Sequence, residues 1–139
     1  MKTLARTILP FVTLIAIFSA CKKDEDPVNP IVGTWKVSGV SFTGCDDPAD
    51  NASEDVPCTA SDCQKWILKA DGSITIEITD TGDLTTETAT YTVADGKITI
   101  CDGTDCETPL TYTIVGSTLT INFGEFLAGC DLNLIFTKS

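Results

Sequence analysis

The sequence contains no histidine and a single methionine. Without imidazole, the Ser-His-Asp and Cys-His nucleophile systems and the usual imidazole metal sites are excluded. Positive charge is also scarce, with 9 Lys+Arg against 20 Asp+Glu and a net charge of −11. Nucleic-acid phosphates are held by clustered Lys and Arg, so nucleic acid is excluded as a partner. No apolar run reaches the roughly 20 residues that a membrane-spanning helix needs. Helical periodicity is missing too, since no window keeps apolar residues at i, i+3 and i+4 through three turns. The 139 residues fit one domain with a single core. These absences point away from an enzyme.

What is present begins with an address. Lys2 and Arg6 precede the apolar run Ile8–Phe18, which is broken only by Pro10 and Thr13. That run has the length of a signal-peptide core and is too short to span a bilayer of about 30 Å. Phe18-Ser19-Ala20-Cys21 follows and resembles a bacterial lipobox. The resemblance implies cleavage before Cys21 and attachment of diacylglycerol to its thiol. An ordinary signal peptide ending near a cysteine is the other reading. Residues 1–20 are thus expected to be a lipoprotein signal peptide. The mature chain would have 119 residues and a net charge of −13, from 7 lysines against 20 acids.

Residues 21–30 are expected to be the lipidated cysteine and a flexible acidic tether. Lys22-Lys23-Asp24-Glu25-Asp26-Pro27-Val28-Asn29-Pro30 has too little apolar surface to fold. Its Lys-Lys-Asp-Glu-Asp run resembles the export signals of Bacteroidetes surface lipoproteins. This implies an outer-membrane location, at the cell surface in preference to the periplasmic face. A plain solvated linker is the alternative.

From residue 31 onward the pattern is that of β-strands. Ile74, Ile76 and Ile78 alternate with Thr75, Glu77 and Thr79, and Leu119, Ile121 and Phe123 alternate with Thr120 and Asn122. Period-2 alternation with outward threonine marks half-buried strands. Asp71-Gly72, Thr81-Gly82, Asp95-Gly96, Asp102-Gly103 and Gly116-Ser117 separate the runs, and such pairs supply the positive φ of tight hairpins. The count predicts eight strands, over 33–42, 64–70, 73–79, 84–94, 97–101, 108–115, 118–124 and 131–137. Residues 31–139 are therefore expected to be all-β, an eight-stranded antiparallel up-and-down meander. It would close as a barrel, which removes exposed edges, or remain an open sandwich. The segment 43–63, with six acids, no base and three cysteines, reads as an irregular loop.

Ile31-Val32-Gly33-Thr34-Trp35-Lys36-Val37 resembles the opening strand of the lipocalin-like lipoproteins common in Bacteroidetes. Trp66 to Ser73 and Tyr91 to Ile98 are similar to their later strand, Asp-Gly, strand blocks. In the wider lipocalin/calycin group the Gly-x-Trp, here Gly33 and Trp35, closes the barrel bottom. On the last strand Lys138 is the residue available to cover Trp35, where that group uses arginine. The resemblance implies a binding barrel. Its candidate lining is Trp35, Trp66, Tyr91, Tyr112 and Phe123, continued by Val37, Leu68, Ile74, Ile76, Ile98 and Ile121. A role in core packing is the competing reading for these residues, and for Trp35 and Trp66 in particular.

Six cysteines remain after Cys21, an even number in a chain sent to an oxidising compartment. Cys58 and Cys63 share a Cys-x4-Cys spacing with Cys101 and Cys106. A four-thiolate zinc site has that arithmetic, but the compartment favours disulfides. Cys101 and Cys106 flank a four-residue loop around Gly103, where facing hairpin residues lie within disulfide reach. The expected pairs are Cys101–Cys106, Cys58–Cys63 and Cys45–Cys130, out of 15 possible connectivities.

The acids offer two further options. Asp46, Asp47, Asp50, Glu54 and Asp55 carry calcium-ligand chemistry but lack the spacing of an EF-hand. Glu77 and Glu87 form a carboxylate pair of the kind glycosidases use, but both read as facing away from the apolar side of their strands. No catalytic residue, metal or cofactor is expected. The expected function is non-catalytic. It is either binding of a small apolar ligand in the barrel, or an accessory role in which the acidic 43–63 segment binds an envelope protein. The chain is expected to be a monomer held to the membrane by its lipid.

Overall fold

Each alternating run forms a strand in the computed structural model, which describes residues 29–127 and 129–139. The expected signal peptide, Cys21 and residues 22–28 of the tether lie outside the described residues. The strands are β1 (Gly33–Thr43), β2 (Ala52–Asp55), β3 (Asp62–Leu68), β4 (Ser73–Asp80), β5 (Asp83–Ala94), β6 (Lys97–Asp102), β7 (Asp105–Cys106), β8 (Leu110–Val115), β9 (Thr118–Leu127) and β10 (Cys130–Lys138). A 3-10 turn spans Pro48–Asp50. The described residues contain no α-helix.

Two-residue turns join most neighbours. Thr81-Gly82 links the paired ends Asp80 and Asp83, and Asp95-Gly96 links Ala94 and Lys97. Thr81 and Asp95 take φ of 50° and 52°, followed by Gly82 and Gly96 at 91° and 71°. This left-handed backbone matches the twist of the strands it joins, which is why glycine follows.

The sheet order is β10-β9-β8-β6-β5-β4-β3-β1-β2, all antiparallel, and β10 also pairs with β1. That pairing, from Trp35↔Lys138 to Thr43↔Asp131, closes eight strands into a barrel. The open sandwich is ruled out by this closure. β2 and the two-residue β7 are flaps on its rim. β2 pairs along Gly39 to Phe42 of β1, above the point where β3 has peeled away from Lys36. Neither flap is expected from sequence, and β2 corrects the reading of 43–63 as wholly irregular. Gly39 makes the approach possible, since a Cβ there would lie 3.0 Å from the Glu54 carbonyl oxygen.

Because the strands alternate up and down, the barrel has two distinct ends. One end carries the chain's entry at Asn29–Val32 and the turns 69–72, 95–96 and 116–117. This end is a dry floor. Ile31, Trp35, Leu68, Ile74, Ile98, Leu119, Ile121 and Phe136 are fully buried there. Each such side chain contributes about 1.5–3 kcal/mol through removal from water. The Trp35 indole nitrogen donates to the Ile31 carbonyl at 2.7 Å, and the Tyr91 hydroxyl donates to the Lys69 carbonyl at 2.8 Å. The floor's aromatic polar atoms are thereby satisfied.

Candidate functional site

The inward rows of side chains loosen from floor to mouth. Along β4, Ile74 is 0% exposed, Ile76 is half-buried and Ile78 is 38% exposed. Along β9, Leu119 and Ile121 are fully buried and Phe123 is 38% exposed. On β5 the row Tyr91, Ala89, Glu87 ends in a carboxylate, and on β6 the row Ile98, Ile100, Asp102 does the same. Strand side chains repeat every second residue. A polar residue placed at the end of an inward row therefore sits on the inner wall.

These rows enclose a cavity of about 1000 Å³ that opens to solvent at the end opposite the floor. Its wall is Trp66, Ile76, Ala89, Ile100, Leu110 and Phe123, and its rim carries Glu87, Asp102, Asp105 and Glu107. The wall is thinnest on one side. β6 pairs with β8 only through Lys97↔Thr111 and Ile98↔Leu110. Above that point its edge is taken by the β7 flap, tied by Cys101↔Cys106 and by the Glu107 amide donating to the Ile100 carbonyl at 2.8 Å. Pro109, which has no N–H to give a ladder, stands just before β8 begins. β9 consequently runs past Asn122 with no further register partner on β8.

Glu87 corrects the expectation from sequence. It shares parity with Ala89 and Tyr91, pairs across to Ile76 and lines the cavity, so it does not face outward. Glu77 does face outward, where it meets Lys65 at 2.5 Å in the cross-strand pair Lys65↔Glu77. The two carboxylates therefore lie on opposite sides of the barrel wall.

Of the five lining candidates, Trp66 and Phe123 belong to the cavity wall. Trp35 and Tyr91 are buried in the packed floor, and Tyr112 is a half-buried residue packed against the same core. Parity separates inside from outside but does not say which inward residues pack closed and which flank the cavity: Trp35 and Trp66 are register partners across β1 and β3 yet fall on the two sides of that division. Trp66 is held by a tilted ring contact with Phe136, 5.0 Å between centroids. Its Nε1 is buried with no hydrogen-bond partner among the described residues. An unpaired buried donor costs about 1–3 kcal/mol.

All six remaining cysteines are in disulfides, Cys45–Cys130, Cys58–Cys63 and Cys101–Cys106. The first ties the end of β1 to the start of β10, and the third braces the cavity's β7 flap. The acids of the 43–63 segment are exposed, and the Asp47 carboxylate accepts from the Ala49 amide as a cap on the 3-10 turn.

Charge divides along the barrel axis. The five lysines of residues 29–139 lie at or below mid-height. Lys69, Lys97 and Lys138 are at the floor, and Lys36 pairs with Lys65 midway. Of the 17 acids in the same span, 13 sit on open-end connections or the adjoining strand ends, and Glu87 makes a fourteenth on the cavity wall.

Compared with solved structures, the chain is similar to a lipocalin-like protein from Bacteroides uniformis. The TM-score is 0.53 at 18% identity, over 78% of this chain and 97% of that one. The barrel is lipocalin-like. No protein-family model matches the sequence, and no curated protein does, so the likeness is one of fold. Within the lipocalin-like barrel, the Gly33 and Trp35 pair occupies the floor, as the resemblance at residues 31–37 implies.

Proposed function

We propose that this protein is a non-catalytic lipoprotein of the cell envelope that holds a small apolar ligand in the upper half of its lipocalin-like barrel. The cavity carries the reading. About 1000 Å³ lies at the upper end of the usual range for small-molecule sites, roughly 300–1,000 Å³. The lining is mainly aliphatic and aromatic, and its four carboxylates, Glu87, Asp102, Asp105 and Glu107, stand toward the mouth. The floor beneath is fully packed, so a ligand does not enter from that end.

The order Lys2, Arg6, apolar core, Phe18-Ser19-Ala20-Cys21 supports a lipid on Cys21. The chain enters the barrel at the floor, next to Ile31. A protein anchored through residues 22–30 would therefore turn its lysine-bearing floor to the membrane and its mouth away from it. The Lys22-Lys23-Asp24-Glu25-Asp26 run supports the outer membrane, and its outer leaflet over the periplasmic one.

The test is native mass spectrometry of the protein recovered from a related host. A bound small-molecule mass is the expected result, and a bare protein mass from several preparations would overturn the reading. For the anchor, Cys21→Ser should release the protein from the membrane fraction, and normal anchoring of that variant would refute lipidation.

One observation favours a second reading, an accessory module that binds an envelope protein through the acidic 43–63 segment. β2 ends the sheet order, and all four of its residues are exposed. A terminal strand offers a free edge to which a partner's strand can add.

A further inference from the structure

We infer that the cavity selects for organic cations, specifically molecules with an apolar body and a positively charged amine or ammonium group. This rests on the cavity being a ligand site, as proposed above, and adds the sign of the ligand's charge.

Three observations converge. The first is the lining itself. Glu87, Asp102, Asp105 and Glu107 all line the cavity, and among the described residues no lysine or arginine does. Two of the four, Glu87 and Asp102, end inward rows of adjacent strands and so stand where the wall meets the rim. The second is the field around the mouth. Among the described residues, thirteen acids and no lysine occupy the open end, while the five lysines stand at or below mid-height. A mouth lined by one sign of charge concentrates ligands of the opposite sign and repels fatty carboxylates and phosphates. The third is the apolar wall. Trp66 and Phe123 present two aromatic rings to the cavity, and aromatic faces attract cations, tryptophan most strongly. Trp66 is 4% exposed, and its Nε1 lacks an acceptor among the described residues. An anionic group brought to that donor would also have to pass the acidic rim, so a neutral acceptor on a cationic ligand is the better match.

The experiment uses three probes that share one apolar chain: decyltrimethylammonium, decanol and decanoate. Each is titrated into the purified full chain below its micelle-forming concentration, with binding read by calorimetry at low salt. The cation should bind about tenfold tighter than either other probe. That preference should shrink to less than about threefold in 1 M NaCl, where the Debye length is about 3 Å. It should shrink likewise in Glu87→Gln combined with Glu107→Gln, an isosteric pair of changes on the rim. Decanol or decanoate binding within about threefold of the cation at low salt would overturn the inference and leave the ligand-binding reading standing. A cation preference unaltered in the double variant would also overturn it, because the selectivity would then lie elsewhere. Binding of none of the three would remove both the inference and the reading it rests on.

Discussion

Lys138 Nζ lies 5.1 Å from the centroid of the Trp35 ring and covers the barrel floor from outside. Gly33 makes this possible, because a Cβ at that position would come within 2.7 Å of Lys138 Cε. Gly33 also holds φ at +146°, a backbone region that side chains rarely adopt. The glycine of the Gly-x-Trp motif therefore clears the path that the lysine takes to the tryptophan. Lys138→Ala should cost about 0.5–1 kcal/mol, the value of an exposed cation–π pair. Gly33→Ala should cost about 1–3 kcal/mol in backbone strain and displaced lysine. Combined, the two should cost less than their sum, because alanine at 138 relieves the collision. Urea denaturation of the four proteins checks this, and strict additivity would refute the coupling.

The three disulfides should differ in worth. Cys45–Cys130 joins residues 85 apart in sequence, while Cys101–Cys106 spans 5. On the chain-entropy account these correspond to about 4.6 and about 2.2 kcal/mol. Cys45→Ala with Cys130→Ala should therefore lower stability by about 2 kcal/mol more than Cys101→Ala with Cys106→Ala. Guanidinium midpoints of the two double variants measure the difference. Equal losses would mean that local packing, not loop closure, sets the value of these bonds.

Much of the fold could be read from local pattern. Alternation, with threonine outward in most cases, marks the barrel strands, and Asp95-Gly96 or Thr81-Gly82 marks the hairpins between them, because both signals act over two to six residues. Closure is a different kind of fact. It depends on Trp35 meeting Lys138 across more than a hundred residues, and no local pattern encodes that pairing. β2 escaped because Ala52-Ser53-Glu54-Asp55 has neither β-favouring side chains nor an apolar face. It becomes a strand through what Gly39 allows and through the Val56 amide donating to the Ser38 carbonyl at 3.0 Å. Glu87 is legible in principle, since it shares parity with Ala89 and Tyr91. Its charge argued for solvent, and the open mouth of the barrel supplies solvent on the inner side. The division of Trp35 and Tyr91 from Trp66 and Phe123 is not legible, because it depends on how side chains from several strands pack across the barrel interior, and even the register partners Trp35 and Trp66 fall on opposite sides of it.

That division gives a contrast between two neighbouring inward residues. Ala89 and Ile74 face each other across β4 and β5. Ala89 lines the cavity, while Ile74 is fully buried in the floor. Ala89→Phe should place a ring in open space, with a stability change within about 0.5 kcal/mol, and should abolish binding of any cavity ligand. Ile74→Ala should cost about 2–5 kcal/mol by leaving a void in a packed region. Paired denaturation and ligand titration check both. A destabilised Ala89→Phe that still binds ligand would contradict the placement of floor and cavity.

Tyr91 links the floor to alkaline pH. Burial raises its phenol above the ordinary value of 10.0, and the nearby Asp71 carboxylate and Tyr112 add to the effect. Its hydroxyl is also committed as a donor to the Lys69 carbonyl, a bond that ionisation would destroy. The folded chain thus holds this proton to higher pH than the unfolded chain does, and stability falls wherever the native state binds the extra proton. The contribution is fully present below the unfolded value near pH 10 and is lost as pH rises through the higher folded value. In Tyr91→Phe that part of the alkaline loss should disappear, while the variant is less stable at neutral pH by about 0.5–1.5 kcal/mol for the missing hydrogen bond. Denaturation midpoints from pH 8 to 12, with phenolate absorbance followed alongside, provide the measurement. An unchanged alkaline slope in Tyr91→Phe would place the pH sensitivity at another group.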